Sequence, residues 1–263
     1  MPRALILALT LLPLLLPPAP AAGAAVKLLS HRAAYRLELA PDEQGAVPLA
    51  VQGALVIEWR ASCAGWLSRQ RLGFVVHGPD GPAVSYDVRF SSWESRDGTR
   101  IRFALRSYDG SELFEEYRGR AVLEGTGRPG RAEFDIPGDL VLELPAGTIF
   151  PSEQMRRLVA DARAGRRLAQ YMVFDGSGPE GLSTVTAIIG QRREVRLEGG
   201  ARGERWPVSL AYHRPGTTGA PEFEIAFELD DGGILHEVRL DYGEFALLGR
   251  LEKLEMLPDP ECE

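Results

Sequence analysis

Between residues 222 and 229 acidic and apolar side chains alternate along the chain, Glu222-Phe223-Glu224-Ile225-Ala226-Phe227-Glu228-Leu229. A period of two sends successive side chains to opposite faces of a strand, so one face is buried and the other wet. The same alternation places Tyr35, Leu37 and Leu39 between Arg36, Glu38 and Ala40, and further runs follow at 54–59, 66–77 and 235–240. Turn chemistry falls where hairpins need it, at Gly78-Pro79-Asp80-Gly81-Pro82, Asp97-Gly98, Asp109-Gly110 and Asp231-Gly232-Gly233. Asp-Gly and related pairs tolerate the positive φ of a tight turn, and 235–240 pairs naturally back onto 222–229. The pattern predicts an all-β chain of about twelve to fourteen antiparallel strands. Strands this regular imply a barrel, sandwich or spiral in which one sheet curls to cover its own edges.

One segment departs from the period. Ser152 has the chemistry of an N-cap, Glu153 puts negative charge in the first turn, and Met155, Leu158, Val159 and Ala162 recur at helical spacing. Gly165 supplies a C-cap. The spacing therefore predicts a single amphipathic helix of about three turns, its apolar stripe lying on the sheet or plugging one mouth of a barrel. The opposite face carries Arg156, Arg157 and Arg163. A cationic face of this kind suits anionic lipid headgroups or an acidic partner. The plainer alternative is a solvated face with positive charge placed near the helix C-terminus.

The first residues have the layout of a secretory signal peptide: Arg3, an apolar run to Leu16, then a stretch of small residues ending near Ala24. The alternative, a membrane anchor, needs about 20 apolar residues, and this run is shorter and broken by Pro13, Pro17 and Pro18. We expect residues 1–24 to be removed, leaving 25–263 as one domain in the periplasm. No linker, internal repeat or composition shift divides that span. In an oxidising compartment two cysteines, Cys63 and Cys262, favour one long-range disulfide over a pair of unrelated thiols. The chain holds 30 basic and 37 acidic residues, a net charge of −7, which argues against nucleic acid as the main partner.

Catalytic and metal-binding patterns are missing. The four histidines lack ligand spacing, and no G-x-S-x-G elbow, Walker A loop or H-E-x-x-H helix occurs. Residues 175–181 superficially resemble a calcium loop without its alternating oxygen ligands, and are better taken as a turn. Carboxylate pairs such as Glu115-Glu116, Asp230-Asp231 and Asp87 near Glu94 have a bland explanation, since alternating strands put acidic residues on wet faces. Trp59, Trp66, Trp93 and Trp206 fall in strands and are expected in the core. The expectation is a protein without enzymatic activity, metal or cofactor.

Several spaced segments together resemble a known family: Cys63-Ala64-Gly65-Trp66, Trp93-Glu94-Ser95-Arg96-Asp97-Gly98, Gly119-Arg120-Ala121, and Leu144-Pro145-Ala146-Gly147-Thr148-Ile149-Phe150-Pro151 before the helix. Val173-Phe174-Asp175-Gly176, Ala187-Ile188-Ile189-Gly190 and a cysteine at the C-terminus complete the series. The chain is similar to the EipB-type cell-envelope integrity proteins of alphaproteobacteria over essentially all its mature length. The resemblance implies a β-spiral with one helix and a bridge equivalent to Cys63–Cys262. It implies a non-enzymatic role in envelope integrity beside a periplasmic tetratricopeptide-repeat protein, and a shape like that of lipid and lipoprotein carriers. The family often has Thr and His after the Phe-Pro, where this chain has Ser152 and Gln154, so a role resting on that histidine does not carry over. Two expectations follow. One is an adaptor for a periplasmic protein partner. The other is a carrier holding an acyl chain in a concave β-shell, with the helix as lid and Arg156 or Arg157 at the headgroup.

Overall fold

A computed structural model describes residues 25–41, 50–78, 83–196, 202–243 and 245–262. The expected signal peptide, residues 79–82 of the first predicted turn and the final residue lie outside the described residues. The strands β1 (His31–Leu39), β2 (Ala50–Ser62), β3 (Gly65–His77) and β4 (Val84–Ser95) form a meander that continues through β5 (Arg100–Asp109), β6 (Glu112–Leu123), β7 (Gly130–Ile136) and β8 (Leu140–Leu144). A short β9 (Thr148–Ile149) and the helix α1 (Pro151–Arg163) then lead to a second meander. It consists of β10 (Leu168–Phe174), β11 (Leu182–Ile189), β13 (Arg202–His213), β14 (Phe223–Leu229), β15 (Leu235–Asp241) and β16 (Ala246–Met256), with β12 (Arg193–Arg196) paired to β13 alone. The first and last strands pair antiparallel from His31↔Met256 to Leu39↔Leu247 and zip both meanders into one sheet.

That sheet is a nearly closed barrel-like shell. Its sixteen strands among the described residues exceed the expected twelve to fourteen, because β9 and β12 hold only two and four residues and are too short to show a period. One pairing is not antiparallel. β9 runs parallel to β10, since α1 carries the chain back before the next strand begins.

The alternation sorts the side chains as expected. Ala33, Tyr35 and Leu37 of β1 are buried on the inner face, while Arg32 and Arg36 point out to Glu58 and Glu252 on neighbouring strands. Cross-strand pairs such as Arg71–Asp87 and Arg120–Glu133 cover much of the outer face. Exposed pairs of this kind contribute about 0–1 kcal/mol each, so the inner face carries the stability. Near the open edges, Phe103 packs against Phe134 and Phe174 with ring centroids 5.2 and 5.6 Å apart. The loop after β10 lays Gly176 and Gly178 flat on Phe103 and Tyr117, where a Cβ would collide with either ring. The supposed calcium-like turn thus closes the seam between β10 and the strands β5 and β6.

The helix begins differently from the local reading. Phe150 is the N-cap residue and makes no side-chain cap bond, and Pro151 opens the first turn, where its missing N–H costs nothing. Ser152 is therefore not the cap. Its N–H donates to Glu94 Oε2 at 2.9 Å, and its buried hydroxyl is turned to the same carboxyl. The C-terminus is as predicted: Gly165, at φ +71°, donates to the Ala162 carbonyl, and Arg166 N–H donates to that of Asp161. Together these are the two bonds of a Schellman motif. Leu158, Val159 and Ala162 face the interior, and the Tyr171 hydroxyl fixes the helix to β10 by donating to Asp161 at 2.8 Å.

Cys63 and Cys262 are bonded, with their Cα atoms 5.5 Å apart and 199 positions between them in sequence. The bridge ties the β2–β3 turn to the tail that leaves β16. That tail also runs beside the start of β1, through Leu257 N–H to the Ser30 carbonyl and Asp259 to Lys27 and Ser30.

Candidate functional site

The shell is hollow. Register aligns the inner side chains of β1 to β4 in successive rungs: His31, Trp59, Ser68 and Ser92 in one, Ala33, Ile57, Gln70 and Phe90 in the next. Tyr35, Leu55, Leu72 and Val88 form the third. Leu210 and Ile225 of β13 and β14 face the same space, and Gln154, Met155 and Leu158 of α1 form another wall. Between them lies a cavity of about 380 Å³. Ligand pockets typically span roughly 300–1,000 Å³ and are mainly apolar with a few placed polar groups, which matches this one.

The polar groups are unevenly distributed. The His31 rung is polar, whereas the third rung is apolar except for the Tyr35 hydroxyl, which donates to the Leu235 carbonyl at 2.5 Å. His31 Nδ1 lies 2.8 Å from the Leu29 carbonyl, which can only accept, so Nδ1 carries the proton and Nε2 is left as an acceptor. Burial holds the His31 pKa below its usual value and keeps the ring neutral. Asp175 also lines the cavity; burial raises its pKa, opposed by the Ser177 N–H at 2.8 Å. Trp59 Nε1 is buried and has no hydrogen-bond partner among the described residues, whereas the Gln154 amide engages the Tyr212 hydroxyl. Among the described residues no lysine or arginine lines the cavity.

The structure places the three predicted arginines elsewhere. Arg156 and Arg157 both pair with Glu153 within the helix, and Arg163 grips Asp231 in a fork, Nε to Oδ1 at 2.6 Å and Nη2 to Oδ2 at 2.7 Å. None of the three is among the residues that line the cavity; all three lie on the outward side of the helix. Trp206 is buried core as expected, but Trp59 looks into the cavity. The bland reading of the carboxylates needs one correction. Glu94 is 2% exposed, because it occupies an inward position of β4 in phase with Ser92 and Phe90. Asp87, Glu116 and Asp231 do lie outside, each held by an arginine. Asp230 accepts from His236 at 2.9 Å and from the Gly232 and Ile234 N–H groups. Burial alone would raise the Asp230 pKa, and these bonds bring it below its usual value. Among the described residues no group of three or more His, Cys, Asp or Glu side chains is placed to hold a metal ion.

The residues that line the cavity had a signal in the sequence. Ser68, Gln70 and Ser92 are polar at positions where the alternation points inward, and a polar side chain on a buried face is more informative than an exposed apolar one.

Fold and site together define a barrel-like β-shell with a hollow, mainly apolar interior, one disulfide and, among the described residues, one helix. The chain belongs to the EipB-like family, whose model matches residues 22–258. It is 30% identical over 250 residues to the cell envelope integrity protein EipB of Brucella abortus (strain 2308), covering 90% of this chain and 88% of that protein. Its fold is similar to the crystal structure of a β-barrel-like protein of unknown function from Brucella abortus, with a TM-score of 0.80 and 30% identity. That match spans 89% of this chain and all of the other.

Proposed function

We propose that this protein is a non-enzymatic periplasmic carrier that supports cell-envelope integrity by holding an acyl-bearing amphiphile inside its β-shell. The observation that carries this reading is the mainly apolar cavity of about 380 Å³ enclosed between the sheet and α1. The envelope role is drawn from the similarity to the Brucella protein, and the carrier role from the cavity. Native mass spectrometry of protein purified from periplasm tests it directly. We expect mass adducts in the lipid range that disappear on delipidation and return on adding an acyl probe. A clean apo mass together with no uptake of acyl probes overturns the carrier role.

A protein partner, such as a tetratricopeptide-repeat protein, is favoured by a separate feature. Leu168 and Ile188 are register partners on β10 and β11, yet they are 67% and 60% exposed on the outer face, next to Arg167. Adjacent exposed aliphatics of this size suit a contact surface. Changing both to Ser should abolish co-purification of a repeat protein while leaving the fold intact. Capture that is equal with and without the double substitution would remove this surface from the reading.

A further inference from the structure

We infer that the cavity selects an amphiphile whose buried head is an uncharged hydrogen-bond acceptor, an ester or amide carbonyl, seated against the rung of His31, Trp59, Ser68 and Ser92. This rests on the carrier reading above and narrows it to a ligand class. Three observations carry it.

The first is the layering of the wall. Register places the four polar residues of this rung side by side across β1 to β4, and the wall turns apolar two rungs further on, at Leu55, Leu72 and Val88. All of them line the cavity. A ligand matching that wall has a polar end and an aliphatic body.

The second is the sign of the unmet hydrogen bonding. An indole N–H donates and cannot accept, and Trp59 Nε1 is buried with no partner. On the helical wall the Gln154 amide is already engaged with the Tyr212 hydroxyl, so Trp59 is the unmet donor. A buried donor left unmet costs about 1–3 kcal/mol, so this position favours a ligand that brings an acceptor oxygen.

The third is charge. Among the described residues no arginine or lysine reaches the cavity, the His31 Nδ1 proton is committed to the Leu29 carbonyl, and the carboxyl that does line the space, Asp175, has the wrong sign for an anion. A carboxylate or phosphate drawn into this interior would lose its hydration without gaining a counter-ion, which is strongly unfavourable. A neutral carbonyl meets the donors without that penalty. The charged part of a larger lipid must then stay outside the shell.

Binding to the delipidated mature protein decides the matter, with four probes that share a sixteen-carbon chain: monopalmitoylglycerol, N-palmitoylethanolamine, palmitate at pH 8 and hexadecane. We expect the ester and the amide to bind at least about ten-fold more tightly than palmitate, in line with an unpaired buried charge. The tighter of the two indicates a glycerolipid or an N-acylated source. Trp59→Phe should weaken the ester and amide about five-fold, the scale of one net hydrogen bond, and leave hexadecane unchanged. Gln154→Leu, which removes an amide already engaged by Tyr212, should leave the ratio of ester to hexadecane binding unchanged, and retained hexadecane binding shows that the cavity is intact in either protein. Palmitate binding as tightly as the ester, or ester affinity unaltered by Trp59→Phe, overturns the head assignment while the carrier reading stands. Failure of every probe, hexadecane included, overturns both.

Discussion

Replacing Cys63 and Cys262 together with serine is expected to lower the unfolding free energy by up to about 5 kcal/mol, the chain-entropy value for a closed loop of this length. The bridge spans 199 positions and joins the β2–β3 turn to the tail beyond β16. Between those points in the sheet lies only β1, already paired on one side with β2 and on the other with β16. The native contacts around the bridge therefore survive its loss, and the effect falls on the unfolded chain, which regains nearly all its conformational freedom. A loss of that size is comparable with the whole net stability of many domains, about 5–15 kcal/mol. The expected result is a denaturation midpoint far below wild type, with far- and near-UV circular dichroism unchanged in native buffer. Equal midpoints would show that the bridge adds no net stability to a sheet already closed by β1 and β16. The two cysteines form no C-x-x-C pair, and the bond closes the zip made by the first and last strands, so its role is structural rather than redox. Denatured, unreduced wild type should accordingly show no labelling by thiol reagents.

The parts of this fold that were legible are those decided locally. Asp109-Gly110 and Asp231-Gly232-Gly233 sit at the β5–β6 and β14–β15 connections because a tight turn needs their backbone freedom, and the alternation on either side fixed which face is wet. The apolar spacing and Gly165 likewise located α1 and its end. The pairing of β1 with β16 left no such trace. It joins residues more than two hundred positions apart, with no turn between them whose chemistry could announce it. The helix start differs for a related reason: Ser152 is a good local cap, but a carboxyl 58 positions away on β4 supplies the acceptor, and the serine side chain turns to that carboxyl rather than to the helix. Whether the shell would be filled or hollow also depends on how tightly the sheet curls, a property of the whole ring rather than of any strand. Yet the run Ser92, Glu94 in phase with Val88 and Phe90 did mark an inner wall that is not purely apolar. That run separates this site from an ordinary core.

Glu94→Gln is expected to stabilise the protein at pH 8 by on the order of 3 kcal/mol while changing little near pH 4, an inversion of the usual cost of altering a buried polar residue. Glu94 is fully enclosed, and burial pushes its pKa up to about 7, only partly offset by the hydrogen bonds from the Ser152 N–H and hydroxyl and reinforced by the charge of Glu153. No lysine or arginine is paired with it among the described residues. Below the unfolded value, near 4.5, the carboxyl is protonated in both states and contributes no pH dependence. Between that value and about 7 the folded protein retains a proton that the unfolded chain has released, so stability falls as pH rises. Above this window the folded state bears the full cost of a buried, unpaired carboxylate. The amide variant keeps an oxygen to accept the Ser152 N–H, and its NH₂ group can donate to the Ser152 hydroxyl, which accepts as readily as it donates. Urea denaturation of both proteins from pH 4 to pH 9 should therefore give two curves that coincide in acid and diverge through neutrality, with the variant higher. A variant that is less stable than wild type at every pH would mean that the carboxylate is favoured where it stands, and that the start of α1 depends on its charge. The expected result instead makes the hydrogen bond the essential part, since the same contact that starts the helix also sets Gln154 and Met155 against the cavity.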